Sequence, residues 1–170
     1  MGVTVHFRGK LKGDEAFTEL VRCVTEIAAA ETLLTETFEN SEVKLLRVRE
    51  DEEAWDYVGP TKGIVLYLHE DCEPVRLEFD RDLYIQEWVK TQFAGVPTHL
   101  RLIKLLRVLQ VFFESFKVDD EGEFWETSDE NVLAKHMRQC NEAITELAKE
   151  HPNAQVKVKE PDGRFTDLIT

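Results

Sequence analysis

The chain has 170 residues, 42% hydrophobic and 32% charged, the composition of a globular protein. A chain this long buries roughly 70% of its unfolded surface and needs no metal or disulfide to fold. Twenty-one basic against thirty-four acidic residues give a net charge of −13, which repels nucleic-acid phosphates and favours a basic protein partner or a cation.

Cys23, Cys72 and Cys140 are odd in number and form no CxxC, so neither a disulfide framework nor a zinc ribbon is expected. The opening "MGVTVHFRGK" lacks an apolar core, and no stretch is long and apolar enough to span a bilayer. No membrane role and a cytoplasmic location are expected.

In chain order, Val3, Val5 and Phe7 alternate with polar residues and predict a half-buried strand, with a turn bracketed by Gly9 and Gly13. Asp14 then opens a helix to about Glu31, with Phe17, Leu20, Val21, Val24, Ile27 and Ala28 on one face. "LLTETFE" and "VKLLRVRE" read as two strands split by a turn at "ENSE". "EDEEAWDYVGPTKG" reads as a polar connection. "GIVLYLH", "VRLEFD" and "LYIQEWVKTQF" follow as a meander. In the last of these, Leu83, Ile85, Val89 and Phe93 share one face, and Tyr84, Gln86, Trp88, Lys90 and Gln92 share the other.

"AGVPTHLRLIKLLRVLQVFFESF" predicts a long helix to Phe116, with Pro97 in its first turn. A strand at the acidic segment follows. A capping box with Thr127 as N-cap and Glu130 at N3 starts a helix burying Leu133, Met137, Cys140, Ile144 and Leu147. It stops at His151-Pro152, and the tail offers one short strand and a Pro-Asp-Gly turn. The order is β-α-β-β-β-β-β-α-β-α. It implies an α+β fold: a mostly antiparallel sheet of five to six strands with three helices mainly on one face. Residues 1–170 are expected to form a single domain, with 153–170 a peripheral strand and tail.

The segment "KVDDEGEFWETSDE" carries seven acidic side chains. A calcium loop of the EF-hand kind needs glycine at its sixth position, where the chain turns sharply. Gly122 falls at the fourth position counted from Asp119, so the match fails. Three readings stay open: a solvated loop favouring the following helix N-terminus, a docking face for a basic partner, or a divalent-cation site on Asp119, Glu121 and Glu123. Trp125, flanked by acids, is a candidate anchor for an Arg or Lys side chain. Arg101, Lys104 and Arg107 on the preceding helix are placed to neutralise the segment within the fold.

His99 near the start of the long helix is either a packed histidine or a base beside a carboxylate. His69 and His136 have no metal-binding spacing, and GxSxG, GxGxxG and GxxxxGK[ST] are absent. Cys72, in "EDCEP", is disfavoured as a thiolate by its acidic neighbours.

Lys90, Thr91, Gln92, Phe93 and Ala94, with His99, then Asp120, Glu121, Gly122, Phe124, Trp125, Glu126, Thr127 and Asp129, form two segments that resemble uncharacterised bacterial proteins. The resemblance implies no activity. It implies that 90–99 and 120–129 form one joint site.

The expected function is binding rather than catalysis. An inhibitor- or immunity-like acidic protein would meet a basic partner through Asp119, Asp120, Glu121, Glu123, Trp125 and Glu126. The alternative is a small enzyme or ligand-binding protein with Lys90, His99, Asp120 and Glu121 around a cleft. No cofactor is expected, beyond the divalent cation of the third reading.

Overall fold

The computed structural model describes residues 2–49 and 52–170, with only the backbone course at 49 and 52–55. Strand β1 (Thr4–Leu11) is central in a three-stranded antiparallel sheet. Its neighbours are β5 (Tyr84–Lys90) and β6 (Phe113–Asp120), with Val5 opposite both Val89 and Asp120. A second antiparallel sheet has the order β2 (Thr35–Arg49), β3 (Glu52–Leu66), β4 (Val75–Phe79). The tail folds as a hairpin of β7 (Gln155–Lys159) and β8 (Phe165–Ile169). The helices are α1 (Asp14–Glu31), α2 (Val96–Leu109), the single turn α3 (Phe124–Thr127) and α4 (Glu130–Glu150).

The fold is therefore α+β with antiparallel sheets, as the run of neighbouring strands implies. One core joins Val5, Phe7, Ile85 and Val89 of the first sheet to Leu20 and Val24 of α1 and Leu102 and Leu106 of α2. Ile64, Leu77 and Phe79 of the second sheet complete it. A smaller cluster seats Leu133 and Met137 of α4 on Val3. The helices cover the inner face of the first sheet and leave its outer face, with His6 and Trp88, open.

Several elements differ from expectation for identifiable reasons. The helix predicted to reach Phe116 stops at Leu109, and β6 begins at Phe113. An apolar run suits either state, and pairing with β1 decides it. Gly9 lies inside β1 rather than at a turn; a Cβ there would stand 2.2 Å from the Ser115 carbonyl oxygen. "ENSE" is not a turn: β2 runs through it with a bulge between Asn40 and Val43. Most of the expected polar connection is strand β3; its Glu50 and Asp51 lie outside the described residues. The tail supplies two strands, joined around Pro161, Asp162 and Gly163, the last at φ 87.

Among the described residues no helix is long and apolar enough to cross a membrane.

Candidate functional site

The two segments singled out in the sequence meet at one place. Thr91 follows β5, His99 sits in the first turn of α2, and Asp120 ends β6. The Thr91 hydroxyl lies 2.7 Å from His99 Nδ1, and His99 Nε2 lies 3.1 Å from Asp120 Oδ2. An ionised carboxylate only accepts, so Nε2 carries a proton and donates it to Asp120.

Asp120 does more than hold the histidine. Its Oδ1 accepts the Gly122 N–H at 2.8 Å, and its Oδ2 accepts those of Phe124 and Trp125 at 2.9 Å each. One carboxylate therefore folds the acidic loop into α3. Burial alone would raise the Asp120 pKa, but the His99 ring and the backbone donors outweigh it and hold the group below the usual carboxylate range. Gly122 is required here: a Cβ would lie 2.5 Å from Leu133 Cδ1 and 3.1 Å from both Asp120 Oδ1 and His99 Cε1.

This trio has the order of a catalytic relay but not its access. His99 and Thr91 are 0% exposed and Asp120 is 4% exposed. No substrate atom reaches a ring nitrogen that is already bonded on both sides. The arrangement ties the ends of β5 and β6, α2 and the acidic loop together, and as built it serves structure.

The remaining cleft candidates do not join it. Lys90 Nζ is taken up by the tail, donating to Asp167 Oδ1 at 2.8 Å and to the Phe165 carbonyl at 3.3 Å. Glu121 accepts the Thr4 N–H at 2.9 Å and stands 3.6 Å from His6 Nε2. Burial would raise the Glu121 pKa; the bonds from His6 and Thr4 reverse that and lower it. The Glu121 contact, against the opposing effect of burial, raises the pKa of His6.

Comparison of the chain with protein-family models, curated proteins and solved structures returns no match. The site is therefore read from its own geometry.

Of the residues expected to meet a partner, Asp119, Glu121, Glu123 and Glu126 are exposed. Asp120 is sealed inside and offers nothing to a partner. Trp125 is half-buried: its ring meets Phe116 edge-on at 6.4 Å, with the Arg107 guanidinium 5.6 Å from its centroid. It supports the loop from within, so the role of projecting anchor falls away. Of the bases on α2, Arg107 meets the segment through carbonyls and a hydroxyl, and Arg101 turns to α1. Arg107 donates to the Trp125 carbonyl and Ser128 Oγ at 3.1 Å each, and Arg101 faces Glu31 at 3.9 Å. Glu123 pairs with His136.

The α4 cap lies two residues later than predicted. Asp129 Oδ1 accepts the Asn131 N–H at 2.8 Å, while Thr127 closes α3. Among the described residues no three His, Cys, Asp or Glu side chains converge as metal ligands. Burial, with Glu73 beside it, pushes the Cys72 thiol up to about 12, which makes it inert at neutral pH.

Sequence reasoning missed a second feature, at the end of β2. There Leu46 and Val48 face outward, 67% and 56% exposed, while Arg47 between them is 1% exposed. The alternation in "VKLLRVRE" contained this inversion, but reading it required knowing which face was covered.

Proposed function

We propose that the protein is a non-catalytic binding protein that receives a basic polypeptide on the loop bearing Asp119, Glu121, Glu123 and Glu126. The observation that supports this is the combination of exposure and rigidity. Asp119 is in β6, Glu121 and Glu123 lie on the turn whose backbone the buried Asp120 fixes, and Glu126 is in α3; Arg101 faces Glu31, and Arg107 meets the segment through the Trp125 carbonyl and Ser128 Oγ. A pre-ordered acidic surface on a chain of −13 draws a cationic partner in and pays little ordering entropy on contact. A sealed His99 gives no support to the alternative of an enzyme.

The test compares two triple variants of equal net charge. Asp119→Lys, Glu123→Lys and Glu126→Lys alter the loop; Glu142→Lys, Glu146→Lys and Glu150→Lys alter the exposed side of α4. The probe is a labelled Lys- and Arg-rich peptide followed by fluorescence anisotropy. The loop variant is expected to bind about tenfold more weakly than the α4 variant. Equal weakening by both would mean that net charge alone attracts the peptide, and the loop would lose its assigned role.

A further inference from the structure

The inverted end of β2 stands beside β5 and is fastened there by one side chain. The Gln86 amide accepts the Val48 N–H at 2.7 Å and donates to the Val48 carbonyl at 2.6 Å, imitating a strand partner. The docking turns Arg47 inward, with its guanidinium 5.2 Å from the Tyr84 ring centroid. Its polar contacts are long: 3.4 Å to the Gln86 carbonyl and 3.5 Å to Asp80 Oδ2. Arg47 Nε has no hydrogen-bond partner, the one such buried side-chain atom among the described residues. Burying a guanidinium with an unmet donor is costly, and such a group calls for an acceptor.

Arg47 lines a cavity of about 340 Å³ between β2 and β5. Arg76 and Arg164 line the same cavity. Four cations face it, with Lys44 the fourth, against Glu78, Glu87 and Asp162. Lys44 is paired with Asp56 at 2.7 Å, Arg76 with Glu78 at 2.9 Å, and Arg164 with Glu87 at 2.9 Å. Asp80 and Glu73 stand behind Arg47 and Arg164. Burial, against the pull of Arg164, raises the Glu87 carboxyl to about 7. Each of the four cations thus has a carboxylate partner, and Arg47 Nε is the donor left unmet.

Leu46, Gln86, Glu87 and Trp88 also border a second hollow of about 650 Å³ on the outer face of the first sheet. Trp88 is 44% exposed there, with the Arg164 guanidinium 4.3 Å from its ring centroid. Leu46 and Val48 form the facing wall. The two hollows have the size range of small-molecule sites, and the apolar wall adjoins the arginine-lined one.

We propose that this paired hollow binds a small organic carboxylate with a flat apolar body, its carboxylate at Arg47 and Arg76 and its body between Trp88 and Leu46. The carboxylate supplies the acceptor that Arg47 Nε lacks. The body covers apolar side chains that β2 turns to solvent. A local reversal of the in-out pattern with an unmet buried donor beside it is where a binding role outweighs stability.

The test is NMR titration with sodium phenylacetate, with phenethylammonium chloride and sodium chloride as controls of opposite sign and of ionic strength. The Arg47 Nε–H and Trp88 indole N–H signals are expected to shift together and saturate, with Kd on the order of 1 mM or tighter for so small a probe. The Trp125 indole should stay in place. Arg47→Gln is expected to weaken binding about tenfold, the loss of one charge-assisted hydrogen bond. Arg76→Gln, at a more open position, and Trp88→Ala should each weaken it severalfold, and they decide the matter if Arg47→Gln does not fold. Shifts equal for the ammonium probe or for chloride would overturn the proposal. So would a phenylacetate affinity unchanged in both Arg76→Gln and Trp88→Ala.

Discussion

Replacing Asp120 by alanine should be among the most damaging single changes in the chain. The carboxylate accepts from Gly122 N, Phe124 N, Trp125 N and His99 Nε2. Gly122 and His99 are buried, so their two donors find no water and cost about 1–3 kcal/mol each when abandoned. Phe124 and Trp125 are half-buried, and their amides add about 0.5–1 kcal/mol each. The total, roughly 3–8 kcal/mol, is a large share of the 5–15 kcal/mol typical of a domain. Urea unfolding followed by tryptophan fluorescence should show a midpoint lower by about 1.5–4 M, for a slope near 2 kcal/mol/M.

Asp120→Asn should fall between. Its oxygen keeps one backbone donor, and its NH₂ can donate to a His99 ring that has shifted its proton to Nδ1. The other loop amides still lose their acceptor. The pH dependence has a definite sign. The Asp120 pKa is depressed in the fold, so its contribution is complete above about pH 4 and fades as pH falls through the folded value. The gap between wild type and Asp120→Asn should close in acid. A loss below about 1 kcal/mol for Asp120→Ala would refute the reasoning, because four abandoned donors cannot be that cheap.

Other outcomes follow from neighbouring features. Gly122→Ala should destabilise by about 1–3 kcal/mol in the same urea assay, since the new methyl enters the space between Leu133, Asp120 and His99. Glu87→Gln should change the pH profile of stability. The folded pKa near 7 lies above the unfolded value, so wild-type stability falls as pH rises from about 4.5 to 7 and then levels. The variant should lack that slope and match or exceed wild type at pH 8; an unchanged slope in thermal melts would contradict it. Arg164→Ala removes bonds to Glu73 and Glu87 and the stacking on Trp88. Limited proteolysis should then cut the β7–β8 hairpin first, with the remaining chain intact; protection equal to wild type would show that Lys90 and Asp167 hold it alone.

How much of this was legible in the sequence depends on whether the deciding contacts are local. Helix α1 was readable to its ends because its apolar stripe and its flanking residues lie within the segment itself. The joint site at 90–99 and 120–129 was visible as residue types, and His99 does meet Asp120. Its burial was not visible, because what seals it comes from β1 and α4, far along the chain. Thr91 was named within the 90–99 segment but given no role, and a hydroxyl between a strand end and a helix start was the available signal.

The sequence by itself determined the charge, the antiparallel α+β class and the extent of α1, because these rest on composition and periodicity. Tertiary structure alone decided that residues 113–120 are strand rather than helix, since β1 supplies their backbone partners from more than a hundred residues away. It decided that Asp120 is a buried organiser while Asp119 and Glu121 face outward, which needs the sheet register. It also decided that Arg47 points in and Leu46 out. Alternation gives two faces, and only the packing of Gln86 against β2 chooses which of them is covered.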